Sequence, residues 1–145
     1  MMLRTAIGDR LSITALALSA ALIATDALSQ TTSQGVPKQV HLVVDGNRLV
    51  ASNIRSSSFD ELRLRARENV RESVEGEAVL VVVTSQRILG YGVVSGWRQI
   101  DRVANERIET VTAEDYAGLV VTSERMLNFN GESGVWGERE RRVSQ

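Results

Sequence analysis

Arg63, Arg65 and Arg67 alternate along the segment RLRAR. On an extended strand every second side chain shares a face, so the spacing would set three guanidinium groups side by side. Each offers a planar fork of N–H donors, the chemistry that receives a carboxylate, a phosphate or an acidic glycan. The plainer reading is a solvated strand face balanced by Glu61, Glu68 and Glu72. These three arginines are the candidate ligand-binding residues.

Catalytic chemistry has little to start from. His41 is the single histidine, and its place inside an apolar run predicts a buried, hydrogen-bonded side chain. No Gly-x-Ser-x-Gly elbow accompanies it. With one histidine and no cysteine, a transition-metal site would have to be built largely from carboxylates. The stretches VEGEA and TAED lack the ligand spacing of a calcium loop. The glycine-rich GYGVVSG, from Gly90 to Gly96, lies between strand-like segments, with no helix behind it to receive a phosphate. The expectation is therefore no catalytic residue, no metal and no cofactor.

Charge and composition narrow the partners. Seventeen basic and 18 acidic residues give a net charge of −1, no electrostatic reason to expect nucleic acid or an anionic membrane. The N-terminal stretch has Arg4 and Arg10, then an apolar run from Leu11 to Ala24, shorter than the ~20 residues of a membrane span. Small residues at Ala27 and Ser29 follow, as before a signal-peptidase cut. Residues 1–29 read as a signal peptide, and 30–145 as one domain exported to the periplasm or beyond, with no membrane attachment after cleavage. Without cysteine, an exported domain must hold together by packing alone.

The elements that would position these residues recur. VVTSQRILGYG (82–92) is echoed by VVTSERMLNFN (120–130) and, more loosely, by VVDGNRLVASN (43–53). Arg48, Arg87 and Arg125 stand 39 and 38 residues apart, and Phe59, Trp97 and Trp136 follow them at 11, 10 and 11. Glu68 matches Glu106 in the same register. This periodicity predicts three units of about 39 residues, near 38–75, 76–113 and 114–145. Runs such as AVLVVV and AGLVV predict short strands, with DGN, TSQ and TSE as the turns between them. FDELRLRARENV carries helix-favouring residues, but the register assigns it to strands. The recurring aromatics read as packing residues between units, and the recurring arginines as partners of turn carbonyls or of a neighbouring carboxylate.

Strands apolar on both faces must be covered on both sides. The pattern VVTSERMLNFNGESGVWGE, strand, polar turn, strand, then glycine and tryptophan, resembles blades of β-propellers such as the quinoprotein and kelch groups. That resemblance implies an architecture and no cofactor. A β-trefoil also uses three four-stranded units. A pleckstrin-homology-like barrel is resembled by VVVTSQRILGYG followed by WRQIDR, although no closing helix follows Trp136. The fold expected is all-β, three repeats forming propeller-like blades. The function expected is an exported, non-enzymatic binding or assembly module, homo-oligomeric and most simply a dimer, with a protein or glycan ligand. A small glycan-binding domain is the alternative, and a hydrolase working with carboxylates a distant third.

Overall fold

The computed structural model describes residues 35–142; the expected signal peptide, 1–29, with the cut expected before Gln30, lies outside the described residues. Within them the chain is all-β, with strands in three antiparallel sheets. The first sheet holds β1 (Val40–Asp45), β2 (Arg48–Asn53) and β3 (Ser58–Arg63). The second holds β4 (Val70–Glu75), β5 (Val79–Thr84), β6 (Arg87–Gly92) and β7 (Gly96–Asp101). The third repeats that order with β8 (Ile108–Glu114), β9 (Ala117–Thr122), β10 (Arg125–Asn130) and β11 (Val135–Glu140).

Each sheet is a meander in which sequence neighbours pair. The grouping of strands differs from the units drawn at 38–75 and 76–113. Those units end on VRESVE and RIETVTA, yet β4 pairs with β5 and β8 with β9, the hairpins that come after them. Connection length accounts for it. Only residues 76–78 separate β4 from β5, a link that suits antiparallel neighbours, whereas residues 64–69 carry the chain from β3 into a new sheet. The register slips at corresponding places, between Val70 and Glu72 and between Ile108 and Thr110.

The second sheet lies between the other two. Leu80 and Tyr91 pack with Val40 and Ala51 of the first sheet, and Val82 and Leu89 with its Leu49. Val81, Val83 and Ile88 point the other way, onto Val120 and Leu127 of the third. Successive side chains thus serve opposite neighbours, and every position of β5 and β6 is buried. The expectation of strands apolar on both faces holds here and nowhere else. β1 leaves Val43 51% exposed, and β9 leaves Leu119 40% exposed, because nothing among the described residues covers their outer sides.

Close approach of the layers uses missing side chains. A Cβ at Gly90 would lie 2.7 Å from the Phe129 ring, so glycine lets that ring sit against the β6 backbone. Gly118 similarly accepts Val81 from the second sheet. At the DGN turn, Gly46 takes the left-handed conformation with φ 58°.

Candidate functional site

The recurring arginines have two different fates. Arg87 is buried and its Nε donates to Glu68 Oε1 at 2.9 Å, its Nη2 to Glu68 Oε2 at 3.1 Å. Arg125 does the same with Glu106, at 2.7 and 3.2 Å. In both clamps a threonine completes the arrangement. Thr84 Oγ1 accepts from the Arg87 N–H and lies 2.6 Å from Glu68 Oε1; Thr122 accepts from the Arg125 N–H and lies 2.9 Å from Glu106. The carboxylates reach these positions from the loops that lead into β4 and β8. There Arg67 and Asn105 adopt φ 62° and 63°, and the backbone N–H groups of Arg65 and Val103 donate to Glu68 and Glu106.

Burial pushes both carboxyls up, but the hydrogen bonds from arginine, threonine and backbone outweigh it and hold Glu68 and Glu106 below the ordinary carboxylate value. Each arginine also spans two sheets, since Arg87 Nη2 donates to the Arg63 carbonyl and Arg125 Nη2 to the Asp101 carbonyl. These are structural clamps, as a neighbouring-carboxylate role predicts. Arg48 stands apart. Its side chain is half-exposed and, among the described residues, bonds to Asp45 and, at 3.4 Å, to Glu61.

The arginine run does not form the expected ladder. Arg63 is the last residue of β3, Arg65 lies in the following loop with Nη1 3.4 Å from Asp101, and Arg67 occupies a left-handed turn. All three are exposed, but they do not share a strand face. The cause is Leu64, which turns inward, and Glu68, which is drawn onto Arg87; together they end the strand after Arg63. Glu68 is accordingly a buried clamp residue and not part of a solvated balancing face. His41 differs as well: its side chain is 54% exposed, with Nδ1 3.4 Å from Glu75, whose carboxylate also takes Lys38.

Two further features stand out, of which only the first was not expected from the sequence. The first is a polar cleft of about 520 Å³ between the β2–β3 and β6–β7 turns, with Phe59, Asp60 and Trp97 in its lining. Its hydrogen bonds run inward. The Tyr91 hydroxyl donates to Asp60 and accepts from Asn53 Nδ2 at 2.9 Å, while Trp97 Nε1 donates to the Asp60 carbonyl at 3.0 Å. Burial and the Asp60 carboxylate raise the Tyr91 pKa, which keeps the hydroxyl a donor. Among the described residues no group of three His, Cys, Asp or Glu is placed to hold a metal ion.

The second is the pair of outer faces. Trp97 stands opposite Tyr91 in the β6–β7 register, at 5.1 Å between ring centroids, and packs toward the first sheet. Trp136 stands opposite Phe129 at 4.9 Å and packs toward the second. Phe59 holds the same place in the first sheet, opposite Ser52, but points outward and is 72% exposed. Phe59 is thus not a packing residue within the described chain. Val43 and Val50, paired across β1 and β2, share its face. On the far side of the third sheet, Leu119, Asn128 and Gly137 form one cross-strand row. No protein-family model matches the chain, and no curated protein matches its sequence.

Proposed function

We propose that this chain is an exported, non-enzymatic assembly or binding module whose three sheets are propeller-like blades, and that it works as a homo-oligomer. One observation carries the reading. At each inner contact between sheets an aromatic packs on the preceding sheet, and the matching aromatic of the first sheet, Phe59, has no sheet among the described residues to pack on. Face-to-face stacking of meander sheets supports blades over a trefoil, whose three units close on themselves, and over a single closed barrel. Closed propellers use about four to eight blades, so two copies of three make a six-bladed ring. A net charge of −1 supports neither nucleic acid nor anionic membrane as partner. Localisation to the periplasm or beyond rests on the N-terminal sequence.

Light scattering on the purified, processed protein tests this reading. A dimer at micromolar concentration is the expected result, and a stable monomer would remove the blade assembly. A second reading, a glycan-binding domain, is favoured by the polar cleft with Trp97 at its wall, since sugars stack on aromatic rings and bond to polar side chains. Binding on a glycan array that is lost in Trp97→Leu, with a monomer in solution, would favour it instead.

A further inference from the structure

We infer that the two outer faces are one another's partners: the first sheet of one copy lies on the third sheet of a second copy, in the register the inner sheets already use. The inference rests on the assembly reading above and deepens it by naming the surfaces. At the first inner contact Trp97 donates to the carbonyl of Asp60, on the edge strand of the sheet before it; at the second, Trp136 packs in the same place, its Nε1 buried without a partner among the described residues. Shifted by one unit, Trp97 becomes Phe59, and the position of Asp60, carried forward through Arg98, becomes Gly137. Phe59 of one copy therefore comes to rest over Gly137 of the other. Gly137 is exposed, and a Cβ there would meet nothing closer than a carbonyl oxygen at 3.7 Å, so the site has room for a ring.

The arginines give a second, independent match. Arg87 donates to the Arg63 carbonyl and Arg125 to the Asp101 carbonyl, each at the end of the preceding sheet's last strand. The next carbonyl in that series is that of Glu140, at the end of β11. Arg48, half-exposed and without a buried carboxylate, is the arginine left to reach it. The exit from the third sheet is built like the exit from the second. The Arg141 N–H donates to the Glu124 carbonyl and its side chain to the Thr122 carbonyl, as Arg102 does with Gln86 and Thr84. The seat for a following sheet is formed.

Contact of unlike faces is heterologous, and with two copies it closes into a ring in which both contacts are the same. The absence of cysteine makes a direct test available. Stacked sheets lie about 10 Å apart, so a short bismaleimide suits the gap better than a disulfide. The test takes Phe59→Cys, Gly137→Cys and the double variant, each expressed as the full chain and purified after export. Bismaleimide should give a covalent dimer in the double variant and no crosslink in either single one. Within one chain the two positions lie on opposite sides of a three-layer stack, beyond the reach of the linker. In the same chain Phe59→Arg should weaken self-association by roughly tenfold or more, the scale of losing an interface aromatic.

A crosslink in Phe59→Cys alone would mean like faces meet and would overturn the inference, as would an uncrosslinked double variant in a protein that is still dimeric. In both cases the assembly reading survives. A monomeric parent would remove both, with the outer face of the first sheet then covered by another segment of the chain or by a glycan or protein ligand.

Discussion

Substituting Glu68→Gln or Glu106→Gln asks whether the twin clamps hold the sheets together. Both carboxylates are fully buried, beside arginines only 6% and 7% exposed. Glutamine keeps the shape but removes the charge and turns an amide donor toward groups that already donate. Breaking a buried ion pair from one side costs about 3–5 kcal/mol, because the other charge stays buried. The two sites differ in what remains. Arg125 keeps a second carboxylate, Glu138 at 3.0 Å, which is 45% exposed. Arg87 has in that place only the neutral Gln99. An exposed pair is worth about 0–1 kcal/mol, so Glu68→Gln should be the more damaging by roughly 1 kcal/mol.

Thermal melts would read these losses as drops of roughly 15–30 °C for a domain of this size. Urea unfolding at constant m-value gives the same comparison isothermally. The sign with pH also follows. Both groups have folded pKa values below the ordinary carboxylate value of 4.5. Their contribution is therefore fully present above pH 4.5 and is lost as pH falls through the lowered folded values. The parent should lose stability in that acid range, and the double glutamine variant should lose distinctly less. Variants that melt with the parent, or an acid slope unchanged in the double variant, would refute the clamp argument.

Gly90→Ala should cost about 1–3 kcal/mol by thermal melt, since its Cβ meets the Phe129 ring at 2.7 Å, whereas Gly137→Ala should be near neutral. Trp97→Ala and Trp136→Ala should each cost about 3 kcal/mol, the low end for a large aromatic because both rings are half-buried. Phe59→Ala, exposed in the single chain, should unfold within about 0.5 kcal/mol of the parent when measured under monomeric conditions. Mass spectrometry of protein exported by an expressing host should find an N-terminus near Gln30; an intact Met1 there would overturn the export reading.

Much of the fold was legible because its signals are local. The β-branched runs, the polar turns and the 38- and 39-residue spacing of Arg48, Arg87 and Arg125 identified strands and their hairpins. The Thr-Ser turns bond as their hydroxyls suggest, with Thr84 and Thr122 accepting from the arginine N–H groups. What was not legible depends on contacts distant along the chain. Alternation in RLRAR suggested a strand face, but Leu64 and Glu68 are claimed by β6 and its neighbours, and the strand ends. A signal for the clamps did exist: Glu68 precedes Arg87, and Glu106 precedes Arg125, by the same 19 residues. His41 sits in an apolar run yet is exposed, since its ring lies at the rim beside Glu75 of the edge strand β4 rather than among the core side chains.

The outer faces explain how one repeated pattern produces both a buried strand and a wet one. Leu89 and Tyr91 face the first sheet, and the matched positions there are Val50 and Ser52. Ile88 and Gly90 face the third, and the matched positions there are Met126 and Asn128. Of these four positions Ser52 and Asn128 are polar, and both lie on faces that leave the chain. A face of three or four six-residue strands covers roughly 300–400 Å² at standard strand spacings. One head-to-tail contact of the proposed ring would therefore bury about 600–800 Å² in total, no more than a crystal contact, while closing a ring of two would double that to about 1,200–1,600 Å², within the range of specific complexes. Under the proposed assembly, partly polar faces of this size would let the single chain stay soluble and gain a stable contact only when both ends are engaged at once. A sheet as apolar as β5 and β6 on its outer side would not allow the first condition, and a fully polar one would not allow the second.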